Sequence, residues 1–223
     1  MLELDLKQRQ SAVTAGETAA TETAAAETTA SNGGKRLRLL DVGAVSPDNY
    51  VHQSKWVDCT PIDLNPQDER IIKLDILDTP SLKKLLASSA ADGATIPDVD
   101  GMPQFDVVCL SLVLNFGGDI EDRGRILEQA VRMLQHSASH GLLYIVLPLP
   151  CLSNSRYFSQ QKLDDILRDA FGFKRIRQHE SKALAYSLYQ REVAPPKAST
   201  RAKFPKAIVE DGPGRNNFVI VVK

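Results

Sequence analysis

Gly43 and Asp63 have the residue types and the spacing that hold a nucleoside. Gly43 closes the run Leu39-Leu40-Asp41-Val42, and Asp63 follows 20 residues later in Ile62-Asp63-Leu64-Asn65. A glycine at a strand end lets the backbone approach a ligand, and a carboxylate about 20 positions further on accepts hydrogen bonds from ribose hydroxyls. A dinucleotide fingerprint would read G-x-G-x-x-G. Here the turn reads Gly43-Ala44-Val45-Ser46-Pro47-Asp48, with the first glycine alone and no P-loop lysine after it. The later glycines serve a pyrophosphate seated on a helix N-terminus. Their absence argues against NAD, FAD and nucleoside triphosphates, and for an adenosine cofactor without phosphates such as S-adenosylmethionine. Ser46 is expected as an N-cap and Pro47 as the first residue of a helix.

Three further segments carry polar or aromatic groups where strands should end. In Lys73-Leu74-Asp75-Ile76, the Asp75 carboxylate suits an adenine amino group and Ile76 suits the ring face. In Ser111-Leu112-Val113-Leu114-Asn115-Phe116, Asn115 offers a donor and an acceptor, and Phe116 offers a stacking face. In the segment from Leu147 to Tyr157, Pro148 and Pro150 are expected to forbid helix and fix an extended exit. That exit would bring Asn154, Ser155, Arg156 and Tyr157 beside the site. Pro150-Cys151 also matches the Pro-Cys of cytosine-C5 RNA methyltransferases, whose thiolate attacks the base. Such chemistry needs a second cysteine or a tuned thiolate.

The elements that must position these groups alternate regularly. Strands are expected over residues 36–42, within 56–64, and over 71–77, 105–112 and 142–147, with a final antiparallel pair near 174–178 and 218–222. Helices are expected over 81–90, with Leu82, Leu85 and Leu86 on one face, and over 121–134 and 162–171, where Gly172 ends the last. Residues 92–104, with Gly93, Pro97, Gly101 and Pro103, read as a loop. Central strands that are apolar on both faces imply a mostly parallel sheet covered on two sides. Such sheets bind ligands at the carboxyl ends of their strands, where Gly43, Asp63, Asp75 and Ser111 all fall.

Residues 11–34 are Ala, Thr, Glu, Ser and Gly with almost no large apolar side chains, too little to offset the entropy of ordering. Residues 1–34 are therefore expected as a disordered low-complexity tail. Residues 35–223 are expected as one folded domain, with 191–215 a basic, Pro-containing loop. The 223 residues, 43% hydrophobic, suffice for such a core. With no apolar run of 18 residues and no basic-then-apolar start, a soluble intracellular protein without a membrane partner is expected. Cys59, Cys109 and Cys151 lie far apart, and His52, His136, His140 and His179 have no neighbouring ligand set, so no metal is expected. Net charge is −1, yet residues 151–223 hold 14 Lys/Arg against 7 Asp/Glu, and residues 1–150 hold 13 against 21. A basic third beside an acidic body suits a polyanion partner.

Together, Leu-Leu-Asp-Val-Gly-Ala-Val-Ser-Pro-Asp-Asn-Tyr, Asp-Cys-Thr-Pro-Ile-Asp-Leu-Asn, Ser-Leu-Val-Leu-Asn-Phe and Leu-Pro-Leu-Pro-Cys-Leu-Ser-Asn-Ser-Arg-Tyr resemble the fungal 25S ribosomal RNA adenine-N(1)-methyltransferase family, from about Leu37 onward. The resemblance implies a class I methyltransferase fold, Rossmann-like α/β, with a mostly parallel central sheet, an antiparallel C-terminal edge strand and helices on both faces. It implies S-adenosylmethionine as cofactor, large-subunit rRNA or the pre-ribosome as partner, and the nucleolus of the nucleus as location. The expected cofactor contacts are Asp41, Gly43, Asp63, Leu64, Asp75, Ile76, Ser111 and Leu112. On the acceptor side, Asn115 would hold the adenine edge, Tyr157 or Phe116 would stack on it, and Arg156 would hold a phosphate. An animal relative, SAMTOR, is a cofactor sensor, so a binding protein without catalysis is the second reading. Members of the family carry an ordered helical segment before the first strand, where this chain has residues 1–10 and the low-complexity tract.

Overall fold

The computed structural model describes residues 36–89, 101–134, 141–192 and 201–223, with the side chains of 85–89 left aside. The expectations for residues 1–34, for Leu85 and Leu86, for Gly93 and Pro97, and for His136 and His140 lie outside the described residues.

Seven strands form one sheet in the order β3-β2-β1-β4-β5-β7-β6. They are β1 (Leu37–Val42), β2 (Val57–Asp63), β3 (Ile72–Lys73), β4 (Val107–Ser111), β5 (Leu142–Pro148), β6 (Phe173–Glu180) and β7 (Leu184–Arg191). β1 lies parallel between β2 and β4, in register from Leu37↔Val57 and Leu39↔Val107, and β5 lies parallel to β4. β7 runs antiparallel to both β5 and β6. This is the mostly parallel Rossmann-like sheet expected, with its antiparallel pair at the C-terminal edge.

Alternation along the strands divides the core. Leu40, Val42, Val108, Leu110, Leu143, Ile145 and Leu147 face one layer, where Leu82 of helix α1 (Thr79–Ser89) and Ile126, Leu127, Ala130 and Val131 of α2 (Ile120–Arg132) pack on them. Leu163 of α4 (Gln160–Asp165) and Ile166, Leu167 and Ala170 of the π-helical turn that continues it join the same layer. Leu39, Val107, Cys109, Leu142 and Leu188 face the other way, covered by Trp56 and Tyr50 around the 3-10 turn Val51–Gln53. Asp119 caps α2, its side chain accepting from the Glu121 N–H at 3.1 Å. Gly172 ends the α4 segment with φ 75, as its position predicts.

Four expectations are corrected. The third strand is only Ile72–Lys73, because the Asp75 carboxylate accepts the Leu77 N–H at 2.8 Å and the Asp75 carbonyl accepts the Asp78 N–H at 3.0 Å, turning the chain away. Ser46 and Pro47 begin no helix. Ser46 Oγ accepts the Asp48 N–H at 3.2 Å in a plain turn. Pro150 opens a short helix, α3 (Pro150–Ser153), because its fixed φ suits a first helical position. The partner of β6 is Leu184–Arg191, in a stretch expected as connection. Phe218, Val219, Ile220 and Val222 are buried and Val221 half-buried, but the segment lies on α2 outside the sheet, with Val222 bridged to Phe204.

Candidate functional site

The carboxyl ends of β1, β2 and β4 and the start of α2 enclose a cleft of about 510 Å³, within the usual range for small-molecule sites. Gly43 follows β1 directly, and its φ of +79 is open to glycine and strained for other residues. A Cβ there would stand 2.6 Å from Val113 Cγ2 and 2.9 Å from the Ser111 carbonyl oxygen. The backbone itself therefore forms the floor. Asp63 ends β2, and its Oδ1 accepts the Asn65 N–H at 2.7 Å, which fixes the carboxylate at the cleft wall. Asp75 is held likewise by the Leu77 N–H, beside buried Ile76.

Leu112 is the one non-glycine among the described residues with positive φ, 61°. Its N–H donates to the Val146 carbonyl at 3.0 Å, tying the strained turn to β5. A left-handed leucine costs about 1 kcal/mol. Such strain, at the end of the central strand and on the cleft wall, is the kind that concentrates at ligand sites.

Of the expected cofactor residues, Gly43, Asp63, Leu64, Asp75, Ile76, Ser111 and Leu112 all line this cleft. Asp41 does not. Strand alternation sends it to the opposite face from Val42, where it is 1% exposed and accepts a hydrogen bond from Asn49 Nδ2 at 3.0 Å. Burial pushes its carboxyl up to about 6 from the ordinary value near 4, with the Asn49 bond pulling the other way. The folded state therefore binds this proton more tightly than the unfolded chain. The stability it contributes is complete below pH 4 and is lost as pH rises through 6, up to about 3 kcal/mol. Asp41→Asn is expected to melt above the wild type beyond pH 6 and level with it near pH 4. Parallel melting curves across that range would remove Asp41 as the cause.

The three acceptor-side residues stand apart from the cleft lining. Asn115 sits between Val113 and Phe116, which do line it, and the Asn115 Oδ1 is buried without a hydrogen-bond partner. Arg156 is committed elsewhere, with Nε 2.7 Å from Asp211 Oδ1, NH1 2.8 Å from Asn217 Oδ1 and NH2 3.3 Å from the Gly212 carbonyl. Tyr157 lies under Lys206, whose Nζ is 4.3 Å from the ring centroid. The segment from Asn154 to Tyr157 thus clamps residues 206–218, with Ser155 Oγ donating to the Phe218 carbonyl at 2.6 Å. Burial raises the Cys151 thiol above its ordinary range, although Arg123 opposes the shift, so the site lacks the tuned thiolate that base attack requires.

Asp122, Val45 and the Gly117-Gly118 pair also line the cleft and escaped the sequence reading. The signal for the last was present, since two glycines before the Asp119 cap allow close approach to the first turn of α2. Val45, Leu64 and Phe116 at the mouth are 84%, 58% and 80% exposed, an apolar rim unusual on a protein surface. Among the described residues there is no group of three His, Cys, Asp or Glu placed to hold a metal ion, and no helix long and apolar enough to cross a membrane.

A family model described as 25S rRNA (adenine(2142)-N(1))-methyltransferase, Bmt2, matches residues 7–89 and 94–220. The chain is 33% identical over 184 residues to the 25S rRNA (adenine(2142)-N(1))-methyltransferase of Saccharomyces cerevisiae, covering 82% of this chain and 48% of that one. It is 33% identical over 185 residues to the 25S rRNA adenine-N(1) methyltransferase of Schizosaccharomyces pombe, covering 82% and 59%. The chain thus spans about half the length of these curated relatives. Among solved structures, the bifunctional kinase-methyltransferase WbdD aligns at TM-score 0.44 with 14% identity, over 86% of this chain and 39% of that one. The putative methyltransferase yhhF from Escherichia coli aligns at 0.37 with 14% identity, over 70% and 78%.

Proposed function

Since the chain belongs to the family of 25S rRNA (adenine(2142)-N(1))-methyltransferases, Bmt2, we propose that it methylates N1 of an adenine in large-subunit rRNA with S-adenosylmethionine as donor. The observation that carries the donor half is the charge of the cleft. Asp63, Asp75 and Asp122 line it, and among the described residues no Lys, Arg or His does. A phosphate would find no cationic partner there, whereas a nucleoside bearing ammonium and sulfonium charges is favoured. The Gly43 floor admits a flat ligand against backbone, Asp63 suits ribose hydroxyls, and Asp75 with Ile76 suits the adenine.

When bound, S-adenosylmethionine supplies an electrophilic methyl group. The N1 lone pair of adenine is free at neutral pH, so attack needs no general base, and the chain's task is positioning. Phe116, at the cleft mouth, offers a stacking face for an unpaired or extruded base. The Oδ1 of Asn115 beside it is unpartnered but buried outside the cleft lining, so it meets the exocyclic amino group next to N1 only if the Phe116 turn moves on binding. Arg156 and Tyr157 contribute indirectly, by holding the segment that carries Lys206 and Arg215. Lys206 and exposed Arg177 and Lys203 supply phosphate contacts, whereas Arg215 is paired with Glu210. The nucleolus, where large-subunit rRNA is modified, is the proposed place of action.

The test is to incubate the chain with labelled cofactor and unmethylated large-subunit rRNA and to map the product by primer extension. A strong stop at one adenine is expected, because a methyl on N1 blocks pairing. Cofactor binding without any stop would favour the sensor reading.

A further inference from the structure

Two loops line the cleft, one carrying Gly43 and Val45 after β1, the other carrying Leu64 and Asn65 after β2. At their roots they are joined by backbone, since the N–H groups of Gly43 and Ala44 donate to the Ile62 carbonyl at 3.0 and 3.1 Å. Further out the joint is a single side chain. Arg70, in the loop between β2 and β3, sends NH1 and NH2 to the two oxygens of Asp48 at 3.0 and 3.1 Å. The same guanidinium turns Nε and NH2 to Asp68 at 3.1 and 2.8 Å, and the Arg70 N–H also donates to Asp68 Oδ1 at 2.9 Å.

One planar fork therefore spans two carboxylates, one from each loop. An isolated exposed ion pair contributes little. Here Asp68 holds the guanidinium in place before it meets Asp48, so less freedom is lost, and both oxygens of Asp48 are engaged. The receiving turn is ordered too. Asp48 accepts the Val51 N–H at 3.1 Å through its carbonyl, and its neighbour Asn49 donates to buried Asp41. Arg70 itself does not line the cleft.

We infer that Arg70 is a positioning residue, a latch that fixes the Gly43 turn against the Asp63 loop and so sets the width of the donor cleft. This rests on the cofactor reading proposed above. The test is a double-mutant cycle on the full chain with Arg70→Ala, Asp48→Ala and both together. S-adenosylhomocysteine binding is measured by calorimetry, and amide exchange at Val45 to Asn49 without ligand. Each single variant is expected to weaken binding about fivefold, the double no more than either, with faster exchange in that turn and an unchanged unfolding midpoint. Arg70→Lys, which keeps the charge without the fork, should restore only part of the affinity. Undiminished affinity in Arg70→Ala, or losses that simply add, would overturn the latch. A wild-type chain that fails to bind would instead overturn the cofactor reading, and amide exchange would still decide the latch, since unchanged exchange in Arg70→Ala rejects it.

Discussion

Gly124→Ala is expected to cost the domain about 3 kcal/mol, although alanine is the better helix former by about 1 kcal/mol. The sign reverses because of what crosses α2 at that point. A Cβ on residue 124 would stand well inside contact distance of the Val221 carbonyl oxygen, and 3.1 Å from its carbon. Neither side yields easily, since one is helix backbone and the other belongs to the buried segment from Phe218 to Val222. Lifting that segment would break the hydrogen bond from Arg123 NH1 to the Val219 carbonyl at 2.9 Å. It would also part the Arg123 cation from the Phe218 ring, 4.8 Å away, and the edge-on contact of Phe158 with Phe218. Urea unfolding measures the loss. Equal or greater stability in the variant would mean that residues 218–222 do not lie on α2 as described.

Asp63→Ala is expected to weaken S-adenosylmethionine binding by roughly 30-fold or more while leaving the domain folded. Asp63 Oδ1 is engaged by the Asn65 N–H, which orients the carboxylate, and Oδ2 has no protein partner among the described residues, in a residue that lines the cleft. A charged acceptor lost from a ligand hydroxyl pair removes about 2 kcal/mol or more. The fold should tolerate the change, because the lost Asx turn lies in an exposed loop. Calorimetry of both proteins, with circular dichroism to establish folding, separates the effects. Equal affinity would remove Asp63 from the site and with it the ribose assignment. Asp63→Asn, which keeps the shape and loses the charge, should fall between.

Residues whose place in the fold is set by their neighbours in sequence were legible. Gly43, Asp63 and Asp75 stand at strand ends, and a strand end followed by a turn is a local property that the run of apolar residues reveals. Asp41 was misplaced although the same alternation held the answer, since Asp41 and Val42 must face opposite sides of β1. Residues 218–222 show the limit of hydrophobic pattern. Phe-Val-Ile-Val-Val announces burial but does not say against what, and α2 claimed it where the sheet was expected. In β7, Ser187 and Arg191 interrupt the apolar signal, yet both are buried, Arg191 bonding to the Val131 carbonyl at 2.8 Å. The commitment of Arg156 was beyond any local reading, because its partners Asp211 and Asn217 lie 55 and 61 positions away.

The direction of β7 has a consequence for traffic at the cleft. The parallel strands all arrive at the edge where Gly43, Asp63 and Ser111 lie, whereas β7 travels the other way and delivers Arg191 to the remote edge. From 201 the chain ascends along α2, with Arg201 NH1 2.6 Å from Glu128 Oε1, and reaches Asn154 and Arg156 near the cleft level. Had β7 run parallel, its exit would have opened among the cleft loops, and the following basic stretch would begin where a substrate must enter. The reversal sets the exit of β7 at the edge away from the cleft, and residues 211–217 return beside Asn154 and Arg156.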